Sequence, residues 1–177
     1  MALSSRRRLT VAVTGLAADD NPAPGVGVAR CLRDTPEFRG RIGGLSFDHR
    51  FTGCYAAGLF DEVFLIPPPA HGERSFVEAL SQIRQKAPID VLLPTLDPEV
   101  ALVAAARRTL SAYNIRTLIP PAAAIRRRAK SALGALAQSF GFSAPRTVLL
   151  TSRPGIASAL RDLSLPFKDD RNRVIRL

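Results

Sequence analysis

At 177 residues, 46% of them hydrophobic and 23% charged, the chain has apolar material for one core and a small annex, and its composition excludes a disordered protein. Its apolar runs fall short of the roughly 20 residues that span a bilayer, so no membrane association is expected. A net charge of +10 keeps a polyanion in view, but only three of the 25 basic residues are Lys, and two Tyr and no Trp offer little stacking surface, so nucleic acid is not the expected partner.

The elements alternate. Residues 9–15, "LTVAVTG", form a β-branched run closed by Gly15, and "GVGVARCLRDTPEF" then places Val26, Ala29, and Leu32 or Arg33 at helix spacing. A second strand is expected in "RIGGLSFD". The stretch "CYAAGLFDEVFLIPPP" predicts a short helix, a turn at Asp61 and a third strand over residues 63–66, stopped by prolines. In "ERSFVEALSQIRQKAP", Phe76, Leu80 and Ile83 share a face, and the helix ends before Pro88. "IDVLLPT" is a continuous apolar strand, suited to a sheet covered on both faces. "DPEVALVAAARRTLSAYN" then predicts a helix with Asp97 as N-cap and Pro98 at the first helical position, closed by Asn114. "IRTLIPP" is the fifth strand.

This order implies an α/β fold, a three-layer sandwich around a mostly parallel five-stranded sheet over residues 1–120. From Pro120 the texture changes. Residues 121–177 offer two helices, an apolar strand between them and a strand-like start at Leu165, too little to close a second core alone.

Cys31 and Cys54 match no metal or redox spacing, and His49 and His71 have no ligand cluster around them, so neither zinc nor a disulfide is expected. The N-terminus places three arginines before a short strand with no cleavage-site pattern, which points to the cytoplasm.

Ligands of an open parallel sheet collect beyond the carboxyl ends of its strands. Three stretches lie there. In "GLAADDNPAPGVGVAR", Asp20, Asn21, Gly25 and Gly27 are candidates to face a substrate. As a dinucleotide fingerprint the stretch is poor, because Gly25 comes ten residues after Gly15 and Arg30 stands where Gly or Ala is required. The alternative is that the glycines permit close helix packing. Asp48, at the end of strand two, stands about where a ribose-binding acid would in a nicotinamide enzyme, a third reading. In "PTLDPE", Asp97 and Glu99 could orient an amine, or serve as an N-cap and a favourable first-turn charge. In "IRRRAKSALGALA", Arg126, Arg127, Arg128 and Lys130 head a helix; such a run is usually a solvated face, but a lysine there could reach a phosphate chain.

Taken together, "VAVTG", "NPAPGVGVARCLR", "YAAGLFDEVFLIP", "IDVLLPTLDPE" and "NIRTLIPPAAAIRRRAKSALGALAQSFGFSAPRTVLLTS" resemble, in their order, the front end of the ATP-grasp ligases, the superfamily of biotin carboxylase, the carbamoyl phosphate synthetase large subunit and the carboxylate–amine ligases. Lys130 matches the lysine of the family's Asp-Lys pair, with Ala129 in place of the acid. "LPFKDD" begins like the family's next strand, with Lys168 in the place of its nucleotide lysine, and departs from that pattern at Asp169.

The resemblance implies a Rossmann-like pre-ATP-grasp domain at 1–120 and an incomplete N-terminal piece of the ATP-grasp domain at 121–177. It implies that Lys130 and Lys168 face ATP while the rim residues face the acceptor. No catalytic or metal-binding residue is assigned. ATP and Mg belong to the complete enzyme, and this chain alone is expected to bind neither tightly and to be inactive. The expected partners are the remainder of an ATP-grasp domain, in cis or in another chain, a small carboxylate and an amine, and a second copy at an open strand edge. A stand-alone Rossmann-like module binding a nucleotide or nucleic acid is the alternative.

Overall fold

The computed structural model describes residues 8–18, 23–145, 147–150, 155–163, 167–168 and 174–175. The chain divides into two compact units, Met1–Ala122 and Ala123–Leu177.

In the first unit, five strands, β1 (Thr10–Val13), β2 (Arg41–Ser46), β3 (Glu62–Leu65), β4 (Val91–Leu93) and β5 (Arg116–Thr117), form one sheet in the order β3-β2-β1-β4-β5. Every pairing is parallel, with Val11 opposite both Ile42 and Val91. The helices are α1 (Pro24–Asp34), α2 (Gly72–Lys86), α3 (Asp97–Ala105) and α4 (Arg107–Ala112).

Alternation along the strands divides the apolar side chains between two faces. Val11 and Val13 of β1 pack with Ile42 and Ala29 of α1. Ala12, between them in sequence, joins Leu45, Leu92, Phe76, Leu80 and Ile83 of α2, and Val103 and Leu110 of α3 and α4. The sheet is therefore covered on both sides, and its central strand β1 is buried along its whole length, Thr10 included.

Several local expectations change. The short helix foreseen after Cys54 is instead a 3₁₀ turn at Thr52–Tyr55; Gly53 and Gly58, the latter at φ +74°, leave too short a run of helix formers for an α-turn to propagate. Strand β3 lies one residue earlier than read. The helix foreseen over 97–114 is two helices, with the interruption at Ala106 (ψ 1°).

The second unit carries α5 (Ala122–Arg127) beyond its first residue, a 3₁₀ turn at Lys130–Ala132, α6 (Leu133–Ser139) and α7 (Gly155–Asp162). It also carries β6 (Phe167–Lys168) and β7 (Val174–Ile175), paired antiparallel with Phe167 opposite Ile175. Strand β6 ends at Lys168, and the stretch 169–173, where the loss of strand pattern was read, lies outside the described residues. The apolar strand expected in "RTVLL" is not formed over residues 147–150, where Val148, Leu149 and Leu150 are exposed.

Candidate functional site

Strand order reverses direction between β1 and β4, so the crevice where such sheets take ligands opens beyond Val13 and Leu93. Two threonines join the strand ends there. The Thr14 N–H donates to Leu93 O (3.2 Å), the Thr95 hydroxyl to Thr14 O (3.0 Å), and the Thr95 N–H to Thr14 Oγ1 (3.1 Å). Gly15 follows with φ +72°, and a Cβ on it would lie 1.9 Å from Thr95 Oγ1, so the junction requires glycine.

Glu99 fills the space between these turns. It is 3% exposed; Oε2 accepts from the Thr14 hydroxyl and from the Leu96 N–H (3.2 Å), while Oε1 has no hydrogen-bond partner among the described residues. Burial pushes its carboxyl above the ordinary carboxylate range, against the opposing pull of the Thr14 hydroxyl and the Leu96, Thr95 and Gly15 amides.

Leu96, rather than Asp97, is the N-cap of α3. Its side chain cannot accept a bond, and the capping is done by Glu99 reaching back to the Leu96 amide, which moves the helix start one residue from the sequence expectation. Asp97, one of the two acids expected to face substrate, sits exposed in the first turn; Glu99 faces inward.

The start of α1 is also internally satisfied. Gly25 N–H donates to Gly15 O (3.0 Å), and the Val26 and Gly27 amides to Ala23 O (3.0 and 3.2 Å). A Cβ on Gly25 would stand 1.9 Å from Thr14 O, so this glycine lets the helix abut the strand end, whereas Gly27 is exposed with open space around it. Asp20 and Asn21 lie outside the described residues. The amides that hold a phosphate in a dinucleotide-binding sheet are here spent on the chain's own carbonyls at α1, and on a carboxylate at α3.

Asp48 is engaged as well. Arg50 grips it through Nε (3.0 and 3.1 Å) and Nη2 (2.6 Å) and donates its N–H (2.8 Å), and these bonds hold the Asp48 carboxyl well below the usual range. At the opposite end of β2, Asp61 accepts from the Ile42 N–H (2.7 Å) and Arg33 (2.7 Å), tying β2 to α1. Burial alone would raise Asp61, but these bonds and the Arg33 and Arg41 charges hold it low. A hollow of about 580 Å³ lined by Leu9, Asp90, Ser111, Asn114 and Arg116 opens at the opposite end of the sheet, away from the rim.

In the second unit, Arg126 and Arg127 end α5 instead of heading a helix, which places cationic groups at the negative end of its dipole. Lys130 begins the 3₁₀ turn leading into α6 and is exposed. Lys168 pairs with Val174 in β6, and its side chain lies outside the described residues. Among the described residues no group of three or more His, Cys, Asp or Glu could hold a metal ion, and no helix is long and apolar enough to cross a membrane.

Sequence reasoning missed Thr14 and Thr95. Their signal was a Thr closing each of two apolar strands, legible only once those strands are known to be neighbours.

No protein-family model and no curated protein matches the chain. Solved structures do. An L-amino acid ligase from Bacillus licheniformis superposes with a TM-score of 0.52 at 15% identity, over 98% of this chain and 40% of that one. The biotin carboxylase domain of a single-chain bacterial carboxylase gives 0.54 at 16%, over 96% and 37%. Rhizobium etli pyruvate carboxylase, solved with its allosteric activator acetyl coenzyme A, gives 0.55 at 15%, over 96% and 16%. At such identities the likeness is one of fold, and this chain spans two fifths or less of each of those chains. The first unit has the Rossmann-like α/β fold, with an all-parallel five-stranded sheet, that it shares with these ligase and carboxylase structures.

Proposed function

We propose that this chain supplies the acceptor-side α/β domain and the opening of the nucleotide domain of a cytoplasmic ATP-dependent carboxylate–amine ligase. The observation that carries this reading is the fold likeness to the L-amino acid ligase, which takes in 98% of the chain and so both of its units. The complete protein transfers the γ-phosphoryl group of ATP to a carboxylate, and an amine then displaces phosphate from the acyl phosphate.

In this reading Lys130 and Lys168 meet the nucleotide phosphates as point charges. Asp20, Asn21, Gly25, Gly27, Asp97 and Glu99 form or brace the acceptor side. The internally satisfied starts of α1 and α3 support a nucleotide held away from the sheet, and weigh against a stand-alone nucleotide module. Mg²⁺ and the acids that hold it come with the remainder of the nucleotide domain, in cis or from another chain. Charge stabilisation of the transferring phosphoryl group provides most of such a reaction's rate, so this chain alone turns over no ATP.

The three lysines, Lys86, Lys130 and Lys168, allow a direct test. An ATP acyl-phosphate probe, which acylates lysines beside the terminal phosphate, is expected to label Lys130 and Lys168 above Lys86, with excess ATP suppressing the labelling. Equal labelling of all three, unaffected by ATP, would refute the assignment.

A further inference from the structure

Four arginines of the first unit, Arg33, Arg41, Arg50 and Arg74, pair with a carboxylate, whereas others such as Arg30, Arg107 and Arg108 meet none among the described residues. Arg126, Arg127 and Arg128 are exposed, and none of them meets a carboxylate among the described residues. Three successive residues at a helix end fan around its axis, each about 100° from the last, so they form a positive cap and not a stripe along one face. A cap of that kind suits a flexible strand that can wrap it better than a rigid duplex.

The same unit leaves two aromatic rings open to solvent, Phe140 at 64% and Phe142 at 69% exposure, on either side of Gly141, whose φ of +76° turns the chain after α6. Guanidinium groups for phosphates and free ring faces for bases are the two components of sequence-tolerant single-strand binding. The scarcity of Tyr and Trp had argued against stacking; these exposed Phe rings supply the missing faces.

We propose that the second unit binds single-stranded nucleic acid, with Arg126, Arg127 and Arg128 neutralising backbone phosphates and Phe140 and Phe142 stacking on bases. This surface does not depend on the ligase reading, since it does not use Lys130 or Lys168.

The test is fluorescence anisotropy of a labelled 12-nucleotide oligo-U with the full chain between 50 and 300 mM KCl. Three phosphate contacts predict a slope of log affinity against log salt of about −2, from roughly 0.7 per neutralised phosphate on a single strand. Replacing all three arginines together (Arg126→Gln, Arg127→Gln, Arg128→Gln) flattens the slope toward zero, while the corresponding Lys replacements keep it. The pair Phe140→Ala and Phe142→Ala lowers affinity by about tenfold or more with the slope unchanged. All substituted side chains are solvent-exposed, and thermal melts of each variant confirm folding. No binding at 50 mM KCl overturns the proposal, as does a Gln triple variant with wild-type slope. So does binding to phosphatidylserine vesicles that the same substitutions abolish while oligo-U binding persists, which would identify the patch as a membrane surface.

Discussion

The Thr14 hydroxyl, at the end of the central strand, donates to the buried carboxylate of Glu99, 85 residues later in the first turn of α3. That one bond joins β1 to the start of α3 across the point where strand order reverses. It places an acid where nucleotide-binding sheets receive a phosphate, and this arrangement underlies the assignment of the nucleotide to lysines of the second unit.

Glu99 gives the protein a distinctive pH dependence. Its folded-state pKa lies above the unfolded value, so the folded protein holds the proton more tightly than the unfolded chain. Its contribution to stability is whole below the ordinary value of 4.5 and is lost as pH rises through the folded value. Asp61 has the opposite sign. Its pKa is lowered on folding, so its contribution is present above the ordinary value of 3.8 and lost as pH falls through the folded value. Urea unfolding at pH 4 and pH 8 is expected to show Glu99→Gln gaining on the wild type as pH rises. Asp61→Asn is expected to lose ground on the wild type as pH rises from about 2 to about 5 and to keep a constant difference above that. A Glu99→Gln difference independent of pH would mean that the buried carboxyl does not titrate as described.

The two glycines of α1 should respond in opposite directions. In Gly25→Ala the new methyl would lie 1.9 Å from the backbone oxygen of Thr14, so helix or strand must shift, at a cost of about 1–3 kcal/mol. Gly27 is exposed, with nothing near its missing Cβ, and Gly27→Ala should stabilise by about 0.5–1 kcal/mol through helix propensity. Chemical denaturation of both variants measures this, and equal effects would show that α1 does not abut the strand end.

The layered α/β fold was legible because its signals are local. "VAV" and "VLL" are apolar without interruption, and Phe76, Leu80 and Ile83 keep helical spacing; all of these residues but Val91 and Leu93 are fully buried, and that pair packs partly buried against the α1 face. The site was less legible. Glu99 looks like any first-turn acid in sequence, and only the adjacency of β1 and β4 turns it inward to Thr14. The helix-end placement of Arg126 and Arg127 was missed because Ala122, Ala123 and Ala124 start a helix before the basic run, and the run itself carries no stop signal. The pairing of β6 with β7 joins two-residue strands across five charged or polar residues, too short for periodicity to register.

The central claim is that the nucleotide is held by the second unit's lysines and not by the sheet. Isothermal titration of the wild type, Lys130→Ala and Asp48→Ala with a non-hydrolysable ATP analogue and Mg²⁺ tests it most directly. The account predicts weak binding by the wild type, further weakened by Lys130→Ala and unchanged by Asp48→Ala. Tight binding that survives Lys130→Ala and falls with Asp48→Ala would contradict it.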